Sequence, residues 1–250
     1  MKPFSILFHE NGDPIDCRCI NRFLSAFPRA YWKVAREIIK KTEGSLDEKV
    51  FEFNVGKLLP SFKMTRAGAF QGIKIGDGRL IGDKFQAVHS CWKSIEEELG
   101  NLKEYVSERA RTSDTRSRVL VELSPESEEH VIEATSRIFE SLEGLRVKNK
   151  RGGYSRVGHV AASKILFSAL PEIALPVDTS EWKHVFQTKI YGEVLQTMTK
   201  EIKEWEKMSN GKKLDELDEQ PITTLPAIYN VLAMAARPRA IILKHLDETK

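Results

Sequence analysis

Cysteine is scarce in this chain, and Cys17, Cys19 and Cys91 cannot be paired off without a thiol left over. A disulfide framework is therefore excluded, and a reducing compartment, the cytoplasm, is the expected location. Long apolar runs are missing as well. No stretch approaches the roughly 20 residues that cross a bilayer, and the apolar start (Phe4, Ile6, Leu7, Phe8) is shorter than a secretory core, so neither a membrane span nor a leader is expected. An excess of one charge is also absent, because 39 Lys and Arg face 36 Asp and Glu for a net charge of +3. Bulk charge alone thus argues for no polyanionic partner. Paired metal-ligand spacing is lacking too, since Cys17-x-Cys19 has only the distant His9 beside it, and ordinary thiols are the expectation there. Gly76-Asp77-Gly78 is not followed by Gly-Lys-Ser/Thr, which leaves a hairpin turn rather than a phosphate loop.

What is present is helical periodicity. Phe85, Val88, Trp92, Ile95 and Leu99 recur at three- and four-residue steps and predict a helix ending at Gly100. Ser124 as a cap and Pro125 in the first turn open a second, carried by Val131, Ala134, Ile138 and Leu142 to Gly144. Leu195, Met198, Ile202 and Trp205 trace a third, closed by Asn210-Gly211, and Trp32, Ala35 and Ile39 a fourth. The stretch 224–237, before Pro238, is apolar nearly all round and predicts a buried central helix. Between residues 56 and 82 six glycines separate short apolar pieces, and Ile73 to Ile75 with Arg79 to Ile81 predict a small β-hairpin. The fold class expected is mainly α, a helical bundle with a minor β-hairpin. An Arg-Ser-Thr stretch at 108–117 reads as an exposed linker, dividing the chain into 1–117 and 118–250 unless it is one continuous domain.

Charge distribution says more than its sum. Residues 146–156 hold five basic side chains (Arg146, Lys148, Lys150, Arg151, Arg156) and no acidic one; Arg109, Arg111, Arg116 and Arg118 form a second cluster, while acids gather at Glu96 to Glu98 and Asp215 to Glu219. The basic stretch at 146–156 leads into Val157-Gly158-His159. A helix beginning there presents unpaired N–H groups and the positive end of its dipole, and a glycine lets a phosphate approach the main chain. Two sources of anion affinity converge on one spot. The helix ends at Pro171, and the chain turns through Pro176 to Val177-Asp178-Thr179.

At these residues the sequence resembles the helix-hairpin-helix DNA glycosylase superfamily, the endonuclease III group. The family pattern is a Leu-Pro-Gly-Val-Gly hairpin, an alanine four residues after its last glycine, and an apolar-Val-Asp-Thr stretch. Val157-Gly158, Ala162 and Val177-Asp178-Thr179 fall into it without a gap, over about 156–186. The resemblance implies a helix-hairpin-helix-like element, DNA as partner, a phosphate clamp at Val157 and Gly158, and Asp178 as catalytic carboxylate. Lys148, Lys150, Arg151, Arg156 and His159 are the accompanying nucleic-acid contacts. Arg156 replaces the first hairpin glycine. Val160 stands where lyase members carry lysine, which implies hydrolysis without a Schiff base; Lys164, one turn further on, is a second catalytic candidate. Cysteines for an iron–sulfur site are not there, and no metal or other cofactor is expected.

Each of these residues also has a structural reading. Asp178 stands at the N-cap of a helix expected to carry Trp182, Val185, Phe186 and Ile190, with Glu181 completing a capping box. Gly158 serves a tight turn, and Trp182, Trp205 and Tyr229 sit at core positions. His159 and His184 flank the motif as phosphate contacts or plain surface histidines. Two other functions stay open: a nucleic-acid binder without catalysis, and a helical scaffold whose basic stretch meets an acidic partner.

Overall fold

A computed structural model describes residues 5–27, 29–43, 46–64, 68–76, 79–81, 85–109, 118–149, 152–218 and 223–236. Helices dominate: α1 (Cys17–Ala26), α2 (Arg29–Thr42), α3 (Glu48–Ser61), α4 (Phe85–Arg109), α5 (Val119–Glu122), α6 (Pro125–Gly144), α7 (Gly158–Ala169), α8 (Thr179–Glu181), α9 (Tyr191–Met208) and α10 (Leu225–Ala235). Two antiparallel ribbons accompany them, β1 (Lys74–Gly76) with β2 (Arg79–Ile81), and β3 (Arg146–Lys148) with β4 (Tyr154–Arg156). The chain is therefore mainly α with minor β-hairpins, and no described helix is long and apolar enough to cross a membrane.

The caps explain where several helices begin. Ser124 Oγ accepts from the Ser127 N–H at 3.3 Å, with Pro125 in the first turn of α6, and Asp47 accepts from the Val50 N–H at 2.8 Å at the start of α3. Asn210 and Gly211, both with positive φ, follow the end of α9. The helix predicted to stop at Gly100 runs on to Arg109, because the apolar stripe of Ile95 and Leu99 continues in the buried Leu102 and Val106. Burying those two side chains outweighs the roughly 1 kcal/mol by which an internal glycine weakens a helix.

One connected core takes side chains from both sides of the 108–117 stretch, among them Leu58, Val88, Leu142, Leu166, Ile202 and Ile228. Long-range hydrogen bonds tie the halves: Asn54 Nδ2 donates to the Ser168 carbonyl at 2.9 Å, Trp205 Nε1 to the Ile15 carbonyl at 2.9 Å, and Asn230 Nδ2 to the Tyr31 hydroxyl at 2.9 Å. Arg118, expected in an exposed basic cluster, is buried instead. Its guanidinium holds Glu206 through two bonds of 3.0 and 2.8 Å and also reaches Glu122 and Asp215, fastening α5 to α9. Arg109 stays exposed with its guanidinium 3.5 Å from the Tyr105 ring centroid, while Arg111 and Arg116 lie outside the described residues. Asp218 pairs with Arg36 at 3.9 Å and accepts from the Thr223 hydroxyl, so the acidic cluster at 215–218 helps hold the fold together. Glu219 lies outside the described residues.

Glu201 accepts from the Ile6 N–H at 3.1 Å and the Tyr229 hydroxyl at 3.0 Å. Burial pushes its carboxyl above the ordinary carboxylate value, against hydrogen bonds that favour the ionised form. A carboxyl raised in the folded state stabilises the fold while protonated, and that contribution is lost as pH rises through the raised value. Glu201→Gln is thus expected to raise the melting temperature at pH 7 and to leave it unchanged near pH 4. Thermal melts at the two pH values check this, and equal shifts at both would contradict it.

Candidate nucleic-acid interface

The chain at 145–178 is built around α7. This helix packs between α3 and α6, and every side chain from Ala161 to Ala169 is buried. Ala161 and Ala162 are small enough to let the neighbouring helices come close. Approaching α7, the basic stretch forms the β3–β4 ribbon and not a loop. Val147 points inward, Gly152 adopts φ +84° at the turn, and the Val157 N–H donates to the Leu145 carbonyl at 3.0 Å to close the base. The three-residue strands are too short to show a period in the sequence. Where the resemblance implies a hairpin between two helices, the chain has a β-ribbon between the packed helices α6 and α7.

Gly158 begins α7 at φ +75°, and the helix start has no side-chain cap. A Cβ at that position would meet nothing within 4 Å, so Gly158→Ala tests the backbone alone. A left-handed alanine is expected to lower unfolding free energy by about 1–2 kcal/mol, measured by urea titration. An unchanged midpoint would contradict the left-handed start.

Past α7 the chain is clipped back onto it. Ser163 Oγ accepts from the Val177 N–H at 3.0 Å and donates to the Val177 carbonyl at 3.2 Å, while the Tyr191 hydroxyl accepts from the Leu175 N–H at 2.8 Å and donates to its carbonyl at 2.9 Å. These bonds fix the backbone on which Asp178 sits. Asp178 is the N-cap of α8 in a capping box with Glu181, whose buried carboxylate accepts the Asp178 N–H. Its own carboxylate, 28% exposed, pairs with the ammonium of Lys164, which is 0% exposed. That ammonium also lies 3.9 Å from the Phe62 ring centroid. Tyr31 stacks edge-on against Phe62, and burial, with the Glu181 and Asp178 carboxylates adding to it, holds its phenol well above the usual range.

A cavity of about 620 Å³ opens at the start of α7. Val157, Gly158, His159, Val160 and Ala161 line one side, and Thr179, Trp182 and Lys183 another. Met64 and residues 187–189 complete it, and none of the described lining residues is acidic. The helix expected to run through Ile190 ends early in a π-turn (Trp182–Phe186), because Gln187 adopts φ +54°, and this break carries Gln187, Thr188 and Lys189 to the rim. Trp182 is 7% exposed and its indole N–H has no hydrogen-bond partner. His159 stacks parallel to Phe139, with 6.2 Å between centroids, and its Nδ1 lies 3.4 Å from Glu143 Oε1.

Among the sequence-derived residues, Val157, Gly158 and His159 thus line the cavity, whereas Asp178 is not on the lining and only its chain neighbour Thr179 is. Lys164 reaches Asp178 from inside the core and is not on the lining. Its helix face is turned to the core, where only an ion pair makes an ammonium tolerable. Lys148 and Arg156 lie exposed on the ribbon, Arg156 bonded to Glu143 Oε2 at 2.8 Å. Lys150 and Arg151 lie outside the described residues. Met64, Lys183, Gln187, Thr188 and Lys189 are lining residues with no motif to mark them, and Trp182, expected in the core, also reaches the lining; His184 is exposed and not among them. The remaining cysteine, Cys91, is buried with its thiol pushed up to about 12, which makes it inert. Among the described residues no group of three or more His, Cys, Asp or Glu could hold a metal ion. No family model, curated protein or solved structure matches the chain.

Proposed function

We propose that the protein binds DNA at the cavity where α7 begins and is a DNA N-glycosylase of the helix-hairpin-helix kind, hydrolysing the bond between a base and its sugar. The observation that carries this reading is the meeting of two segments distant in sequence. Val157 and Gly158, at the uncapped helix start, and Thr179, next to Asp178, border one cavity. Its volume is that of a small-ligand site, of the order needed for one extruded nucleotide. Lys183 and Lys189 on the lining and the exposed cations of the ribbon add attraction for the flanking phosphates.

In the reaction the base leaves with the electrons of the N-glycosidic bond and takes up a proton, and water adds to the sugar carbon. A carboxylate beside the sugar stabilises the cationic transition state and orients that water. Asp178 has the backbone anchorage for this work, and Lys164 is its positioning residue, a buried cation paired with the carboxylate that holds it in place. Val160, on the lining, offers no amine for a Schiff base.

The direct test incubates the protein with duplexes carrying deaminated, oxidised or alkylated bases and assays alkali-labile abasic sites. The expected result is abasic sites in one class of duplex, with strand breaks only after alkali. Breaks without alkali would overturn the hydrolytic mechanism, and no abasic site in any duplex would overturn the enzyme reading. In that case binding without catalysis is favoured by one observation, that Asp178 is engaged by both Lys164 and its capping box.

A further inference from the structure

The β3–β4 ribbon has two unlike faces. Register pairs Arg146 with Arg156, Val147 with Ser155, and Lys148 with Tyr154. Val147 is buried against the body of the protein, whereas Arg146, Lys148, Tyr154 and Arg156 are all exposed. The outer face is thus an aromatic ring beside three cations. Tyr154 is 65% exposed, the highest value among the exposed large hydrophobic residues of the described chain.

Two arginines directly opposite one another repel. Glu143, at the end of α6, answers Arg156 with its carboxylate and with its carbonyl at 3.0 Å from Nε. The ring of Tyr154 would contribute to a core if turned inward, but the pleat places it outward with the cations. A face that joins positive charge to an exposed aromatic ring is complementary to a nucleic-acid strand, whose phosphates take the cations and whose bases stack on the ring.

Position adds to this. β4 runs straight into Val157 on the cavity lining, and three residues of strand at about 3.3 Å each put Tyr154 about 10 Å from the rim. Successive bases of one DNA strand are about 3.4 Å apart, so the ring and the cavity fall within the same few nucleotides.

We infer that the outer face of the β3–β4 ribbon lies along the DNA and that Tyr154 is its wedge, stacking into the gap that an extruded nucleotide leaves in the duplex. The inference rests on the DNA-binding reading above and adds to it a surface and a residue. The ribbon cations hold the phosphates on either side of the gap, and the phenol ring replaces the stacking that the displaced base gives up. Affinity is then higher for DNA in which the gap already exists.

Fluorescence anisotropy with an end-labelled duplex, intact or carrying one tetrahydrofuran abasic analogue, tests this. The full-length protein is expected to prefer the gapped duplex, and Tyr154→Ala to lose about 10- to 100-fold in affinity for it, the loss of one base–aromatic stack. Its affinity for the intact duplex changes much less, and Tyr154→Phe retains the preference. If the wild type binds both duplexes and Tyr154→Ala binds them equally well, the wedge is wrong and DNA binding stands. Wild-type protein that binds neither duplex would overturn the DNA-binding reading and this inference with it.

Discussion

Asp178→Asn is expected to abolish base release while leaving DNA binding in place. The substitution keeps the shape of the side chain and removes the charge that a cationic sugar needs, and losses of about 10²- to 10⁴-fold are typical when one such group is withdrawn. Affinity for the gapped duplex stays within about threefold, because the interaction lost is made only in the transition state. A second effect comes from the other side of the pair. Lys164, fully buried, is left with a neutral partner, and an uncompensated buried charge destabilises a protein by about 3–5 kcal/mol. The partly exposed Asp178 carboxylate moderates this, so the low end of the range is expected. Single-turnover base release and binding must therefore be measured well below the melting temperature of the variant. Base release at the wild-type rate from Asp178→Asn would remove the carboxylate from the mechanism.

Removing the cation instead is expected to cause the largest loss of stability. Lys164→Ala deletes the ion pair to Asp178, the contact with the Phe62 ring and the volume of a long buried side chain. Lost pairing and a new cavity together are worth about 3–5 kcal/mol, or a fall in melting temperature of roughly 6–20 °C for a chain of this size. Lys164→Met combined with Asp178→Asn removes both charges and refills the space, and should recover most of that loss. A double variant as unstable as Lys164→Ala would mean that packing, and not charge pairing, sets the requirement for lysine. Lys164→Met alone is expected to fold and to lower base release without lowering DNA affinity, the signature of a residue that positions Asp178.

These two residues also show where sequence was informative. The capping role of Asp178 was legible because an Asp followed three residues later by Glu181 ties residue type to backbone geometry. The partnership with Lys164 was not legible, since a lysine on a helix ordinarily faces solvent, and only the burial of α7 on all sides reverses that. Helices α6 and α9 could be read because each has an apolar stripe and a cap or stop residue, and α10 because it is apolar nearly all round before Pro238. The full length of α4 was hidden by Gly100, whose unfavourable helix propensity is overridden by tertiary contacts of Leu102 and Val106.

Cavity residues fared differently. Val157, Gly158 and His159 adjoin the motif and were found; Trp182, Lys183 and Lys189 reach the lining only because the π-turn and the left-handed Gln187 redirect the chain. No periodicity encodes such a break. Tyr154 escaped notice for a related reason, because an aromatic residue in a polar stretch becomes conspicuous only when the ribbon register sets it beside Arg146, Lys148 and Arg156.

The central claim is spatial: DNA is held where the ribbon, the start of α7 and the π-turn meet. Amide hydrogen exchange of the wild-type protein with and without the gapped duplex tests it most directly. The account predicts slowed exchange confined to residues 146–148, 154–161 and 179–189, with α2 and α10 unchanged. Slowing on a different face, or none at a DNA concentration that saturates binding, would contradict it.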